Sequence, residues 1–119
     1  MIIVGLTGGI ATGKTTISKF LKKNKFAVHD SDAVVKTIYS KPSLVFIKYL
    51  KDISLGKTIR GKTINKNTIR EEIFGNQNKK RELEEYIHKK VKKSRDKFLK
   101  KHRMKKTKIA IVDIPLLFE

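Results

Sequence analysis

The sequence predicts an α/β fold built on a parallel sheet, and two observations carry that prediction. The chain opens with an apolar, β-branched run, a glycine loop and a helical pattern in immediate succession. Two further apolar runs each lead into aspartate, with helical patterns between them. In open α/β sheets the carboxyl ends of the strands are where ligands bind.

The opening run is Ile2-Ile3-Val4-Gly5-Leu6, short enough for a buried strand. Gly8-Gly9-Ile10-Ala11-Thr12-Gly13-Lys14-Thr15 follows, a complete G-x-x-x-x-G-K-[ST] phosphate loop in the strand-to-helix context that gives the motif meaning. Gly8 and Gly13 let the backbone turn so that successive N–H groups and a helix N-terminus point at an anion. Lys14 brings a flexible point charge to the terminal phosphates, and the Thr15 hydroxyl is placed to ligate Mg²⁺. Lys14 to Lys23 carries Ile17, Phe20 and Leu21 at helical spacing, and Asn24 suits the helix end.

Phe26-Ala27-Val28 reads as a second strand running into His29-Asp30-Ser31-Asp32, which sets two carboxylates at its carboxyl end. Asp32 is expected either to cap the helix Ala33 to Tyr39 or to act in catalysis, with Asp30 supporting and His29 incidental. Ser43 opens a helix from Leu44 to about Ile53, and residues 54–67 form a loop with a short hairpin. A helix from Asn67 or Thr68 carries Ile69, Ile73 and Phe74 and ends at Gly75. The longest helix starts at Asn76, with Leu83, Tyr86, Ile87, Val91, Phe98 and Leu99 on its buried side and His88 beside that stripe. Ile109-Ala110-Ile111-Val112 is the third strand and closes on Asp113, the Walker B arrangement that helps to hold Mg²⁺.

Composition bounds the function. With 119 residues the chain fits one domain, large enough to bury a core. The absence of cysteine removes disulfides and cysteine zinc sites and fits a reducing compartment. No apolar run is long enough to span a membrane and no charged leader precedes the first strand, so a cytoplasmic protein is expected, with no membrane partner. The net charge of +18 rests on 29 basic residues, mostly lysine and with few interleaved aromatics. That favours a solvated lysine surface over nucleic-acid binding, which uses arginine forks and stacking platforms.

Three stretches agree on one family. Gly5-Leu6-Thr7-Gly8-Gly9-Ile10, Val28-His29-Asp30-Ser31-Asp32 and Asp113-Ile114-Pro115-Leu116-Leu117-Phe118-Glu119 together resemble dephospho-CoA kinases. Thr68 to Phe74 and Leu83 to His88 resemble that family's middle segment. Lys89 stands where the family usually has proline, so the helix should run on unkinked. Family members are nearly twice this length, so the chain resembles their N-terminal part.

The resemblance implies a P-loop NTPase-type three-layer α/β/α fold with the three strands ordered 2-3-1. Strand 1 would then be an exposed apolar edge. Residues 32–104 would form a mostly helical substrate-side insertion within the single domain 1–119. It implies an ATP-dependent phosphotransferase that passes the γ-phosphate to the 3′-hydroxyl of dephospho-CoA. Gly8, Gly9, Ala11, Thr12, Gly13, Lys14, Thr15 and Thr16 would bind the nucleotide phosphates, and Thr15 and Asp113 would hold Mg²⁺. Asp32 and Lys14 would be catalytic, and Asp32, Arg70 and His88 would face the acceptor. A second chain supplying the remaining half is a further implied partner. Another P-loop nucleoside or nucleotide kinase, or a non-catalytic basic nucleotide- or nucleic-acid-binding chain, are the alternatives.

Overall fold

The structure is a computed structural model and describes residues 1–7 and 14–114 (the side chains of Thr7, Lys14, Thr15 and Ile114 excepted). The expected phosphate-loop residues Gly8, Gly9, Ala11, Thr12 and Gly13 lie outside the described residues, as does Pro115-Leu116-Leu117-Phe118-Glu119. From the N-terminus run β1 (Ile2–Thr7), α1 (Lys14–Lys23), β2 (Ala27–His29), α2 (Ser31–Ser40) and α3 (Leu44–Asp52). Then follow β3 (Ile59–Arg60), β4 (Thr63–Ile64), α4 (Lys66–Ile73), α5 (Gln77–Met104) and β5 (Ile109–Ile114). The chain divides into two compact units, Met1–Val34 with Lys90–Glu119, and Val35–Lys89.

In the first unit β1, β5 and β2 form a parallel sheet in the order β1-β5-β2, the expected 2-3-1 arrangement read from its other edge. The central strand is the buried one: Ala110, Ile111, Val112 and Asp113 are all buried. A strand covered on both sides reads as a continuous apolar run, as this one does. β1 has the same apolar composition but lies at an edge, with Ile2 64%, Ile3 43% and Val4 45% exposed. Among the described residues its outer edge is unpaired, as the expected strand order implies, and its side chains are exposed on both faces. α1 spans the expected residues, yet Ile17 and Phe20 are exposed and Ser18 is buried.

The second unit has its own core of Phe46, Leu50, Leu55, Ile64, Ile69, Leu83 and Ile87. Phe46 stacks on Tyr86 at 5.2 Å between ring centroids, Tyr86 on Tyr49 at 4.4 Å, and Tyr39 meets Phe46 edge-on at 5.8 Å. Such pairs add about 0.5–1.5 kcal/mol each to the area that they bury. The expected hairpin is present as β3 and β4, joined by Gly61 at φ +62° and Lys62. Glycine at the first central position suits a turn whose twist matches the strands.

Helix starts follow side-chain caps. Ser43 accepts from Phe46 N–H at 3.1 Å, Asn65 from Thr68 N–H at 3.0 Å and Asn76 from Lys79 N–H at 3.1 Å. α4 thus begins at Lys66, one residue before the earliest predicted start, because Asn65 takes the capping position. α5 runs 28 residues without a break through Lys89, as the missing proline predicts. Its buried positions include Leu83, Ile87 and Val91, and His88, expected beside that stripe, is exposed.

Candidate active site

The parallel register brings three strand ends to one edge. Thr7 pairs with Ile114, Leu6 with Asp113, and His29 with Val112. β1 therefore hands the chain to the glycine loop at the level where β2 delivers Asp30 and β5 delivers Asp113. Among the described residues, carboxylate oxygens of Asp30, Asp32 and Asp113 lie within 4.8 Å of one another. Asp113 is buried, Asp30 half-buried and Asp32 exposed.

This cluster is assembled on the N-terminus of α2. Asp30, not Asp32, is the N-cap: its Oδ1 accepts from Ala33 N–H at 3.1 Å, and its carbonyl accepts from Val34 N–H to close the first turn. The predicted capping role of Asp32 is thereby corrected. The turn begins two residues earlier than periodicity indicates, because the strand is followed directly by an aspartate that can cap at once. Asp32 then falls within the first turn, where a carboxylate is favoured by the helix dipole.

Ser31 joins the two strand ends. Its backbone N–H donates to Asp113 Oδ1 at 2.6 Å, and its hydroxyl donates to the Asp113 carbonyl at 3.2 Å. A first-turn N–H that has no partner within its own helix is thus satisfied by a buried carboxylate. Lys22, near the end of α1, reaches Asp30 Oδ2 at 2.9 Å. Burial pushes the Asp30 carboxyl up, but the hydrogen bonds and charge of Lys22, the Ala33 N–H and a side-chain hydrogen bond with Asp113 outweigh it and hold it below its ordinary value. Asp30 has both oxygens engaged, which makes it the clamp of the cluster.

His29 is buried directly before the cluster. Its Nε2 lies 3.0 Å from Ser94 Oγ of α5, and its ring lies 5.5 Å from that of Phe98. Nδ1 has no hydrogen-bond partner among the described residues. Burial lowers the His29 pKa, Arg95 and Lys22 lower it further, and the Asp113 and Asp30 charges oppose them. The ring ties β2 to α5, a packing role that fits the incidental part expected of it.

Of the predicted site residues, Asp32 and Asp113 are brought together. Lys14, Thr15 and Thr16 lie in the first turn of α1, with Thr16 exposed. Arg70 on α4 and His88 on α5 are exposed residues of the second unit. Sequence reasoning missed Ser31 and Lys22. The signal for Ser31 was its place between two aspartates at a strand-to-helix junction; for Lys22 there was none, since only tertiary folding brings it to Asp30.

A family model described as dephospho-CoA kinase matches residues 2–119. The chain belongs to the dephospho-CoA kinase family. Curated relatives include the dephospho-CoA kinases of Fusobacterium nucleatum, 40% identical, and Paramagnetospirillum magneticum, 31% identical. Each match covers 100% of this chain but only 60% and 55% of the relative. The solved dephospho-CoA kinase of Campylobacter jejuni superposes with a TM-score of 0.65 at 27% identity, over 99% of this chain and 59% of that one. The chain thus spans somewhat over half the length of these dephospho-CoA kinases. Among the described residues no helix is long and apolar enough to cross a membrane.

Proposed function

We propose that this chain carries the nucleotide- and hydroxyl-activating part of a cytoplasmic dephospho-CoA kinase. The observation that supports this reading is the convergence of Asp30, Asp32 and Asp113 within 4.8 Å, on the sheet edge from which β1 enters the G-x-x-x-x-G-K-[ST] loop. Clustered carboxylates suit Mg²⁺, a hard cation that takes oxygen ligands and keeps several waters. Asp113, with Thr15, would hold it, while Asp30 is engaged by Lys22 and Ala33 and keeps the cluster in place. When bound, Mg²⁺–ATP supplies the phosphoryl group and neutralises charge during its transfer. The backbone of residues 8–13 and Lys14 would hold the phosphates, with Thr16 beside them.

Asp32, the exposed member of the trio, would take the proton of the dephospho-CoA 3′-hydroxyl as that oxygen attacks the γ-phosphorus and ADP leaves. Arg70 and His88 would be further contacts to the acceptor. The open edge of β1 supports a further element packed there, supplied by the remainder of the kinase in the same or a second polypeptide.

The test is ADP release from Mg²⁺–ATP with dephospho-CoA or a panel of nucleosides and nucleotides as acceptor, alongside titration of Mg²⁺–ATP binding by calorimetry. Lys14→Ala is expected to weaken nucleotide binding. Asp32→Asn is expected to leave binding intact and abolish acceptor-dependent release, general-base assistance being worth about 10²–10⁴-fold. Release stimulated by another acceptor and not by dephospho-CoA would overturn the substrate assignment. Absence of Lys14-dependent nucleotide binding would overturn the site.

A further inference from the structure

At the other end of the same strands the first unit carries a hollow of about 480 Å³, lined by Lys25, Phe26, Ala27, His102, Thr107, Lys108 and Ile109. It lies where β2 and β5 begin, Ala27 being paired with Ala110. Ile109 and Asp113 are four residues apart on β5, roughly 13 Å along a strand. The hollow is therefore separate from the carboxylate cluster.

We infer that this hollow is a second ligand site, for a small organic anion with a flat apolar body. The hollow is wide open to solvent rather than enclosed, with a volume inside the range of small-molecule sites, about 300–1,000 Å³. Every ionisable group lining it is basic. No aspartate or glutamate occurs in residues 1–29 or 97–112, the two segments that build it, so no nearby carboxylate in either segment neutralises the lysines. The apolar part of the lining is exposed: Phe26 is 43% and Ile109 38% accessible. A ring laid on Phe26 and Ile109 would cover that surface while its anionic group met Lys25 and Lys108.

The backbone points the same way. Lys25 and Lys106 stand at φ 65° and 57°, the left-handed conformation for which glycine is the usual choice. Each ends a helix in the same manner: Lys25 N–H bonds to the Lys22 carbonyl and Phe26 N–H to that of Leu21, while Lys106 N–H bonds to the Arg103 carbonyl and Thr107 N–H to that of His102. A side chain in this conformation costs about 1–2 kcal/mol, and lysine stands there twice beside one hollow. The His102 ring is held by Thr107, Nδ1 to Oγ1 2.9 Å, and by Phe98, 4.6 Å away. Burial lowers the His102 pKa, and the Lys105 and Lys101 charges lower it further, consistent with an excess of positive charge around the ring.

The experiment is a titration of the 119-residue chain with 1-naphthyl phosphate, followed residue by residue by NMR, with inorganic phosphate and 1-naphthol as the two halves of the probe. Saturable shifts at Phe26, His102, Thr107 and Ile109 are expected, with an affinity at least tenfold above that for either half. Lys25→Gly should raise the melting temperature by relieving the backbone and yet weaken binding about threefold, a combination that a structural role for Lys25 does not produce. Adding Lys108→Gln should bring the loss to roughly tenfold. Binding should persist in Lys14→Ala, which separates this site from the phosphate loop and leaves the inference independent of the kinase reading. Equal affinity for inorganic phosphate or for 1-naphthol, shifts confined to β1 or to residues 14–17, or shifts spread evenly over the lysines of α5 would each overturn it. So would binding of a DNA oligonucleotide that shifts the same four residues more strongly than 1-naphthyl phosphate does.

Discussion

Asp113 accepts two bonds from Ser31 of a different element, one at its carboxylate and one at its backbone carbonyl, and the first gives the carboxylate a structural part. Asp113→Ala leaves the Ser31 N–H without its acceptor and should cost about 1–3 kcal/mol in urea unfolding. Asp113→Asn keeps an oxygen for that N–H and removes one of three crowded negative charges, so its midpoint should stay near wild type. The titrations of Asp30 and of the buried histidine act on stability at lower pH. The folded Asp30 carboxyl lies below its ordinary value of 3.8, so its contribution is complete above that pH and is lost as pH falls through the folded value. The folded His29 ring lies below 6.5, so it favours the neutral form. Stability is full above pH 6.5 and declines as pH drops from there towards the folded pKa. His29→Gln should flatten unfolding free energy against pH below 6.5, leaving the slope from His102, whose shift has the same sign.

At the scale of elements, helix ends decide where the chain turns, and several end on residues that sequence rules do not favour there. Ser54 adopts φ 64° after α3, with Ser54 N–H bonded to the Lys51 carbonyl and Leu55 N–H to that of Leu50 at 2.7 Å. Ser54→Gly and Lys106→Gly should each stabilise by up to about 1 kcal/mol in thermal melts, since glycine takes this conformation without a Cβ penalty. Gly75, at φ +77° with open space where a Cβ would sit, is the control in the opposite sense. Gly75→Ala should destabilise by about 1 kcal/mol through the backbone alone. The caps of α3 and α5 and the stop at Gly75 were legible as serine, asparagine and glycine at the right offsets. The left-handed Lys25, Ser54 and Lys106 were not, because nothing in a lysine or serine marks a residue that tertiary packing holds in a conformation it does not prefer.

For the whole molecule the open side of β1 dominates. Among the described residues β1 pairs only with β5, and its outer edge offers six residues of unpaired backbone flanked by exposed Ile2, Ile3 and Val4. Such an edge is a template for another strand. The 119-residue chain expressed by itself should associate, and more strongly as salt screens its net charge of +18. Val4→Lys should shift the sedimentation profile towards monomer. A chain that stays monomeric at high salt without the substitution would show that the edge is covered by other means. Salt also separates this behaviour from nucleic-acid binding, which weakens as salt rises.

The sequence by itself determined the strands, the strand order through family resemblance, the phosphate loop and the aspartates that end two strands. Each of these is local: a periodicity, a glycine spacing, or a charge directly after an apolar run. Tertiary structure alone decided what the aspartates do. The register of β5 against β1 and β2 brings Asp113 to the first turn of α2, which makes Ser31 its donor and frees Asp32 from capping. Ser94 reaches His29 only because α5, distant in sequence, packs beside β2, and Lys22 reaches Asp30 across the turn between α1 and β2. Hydrogen bonds across 82 and 65 residues of chain leave no periodic trace in composition, since one polar side chain at the right place in space is enough to make them.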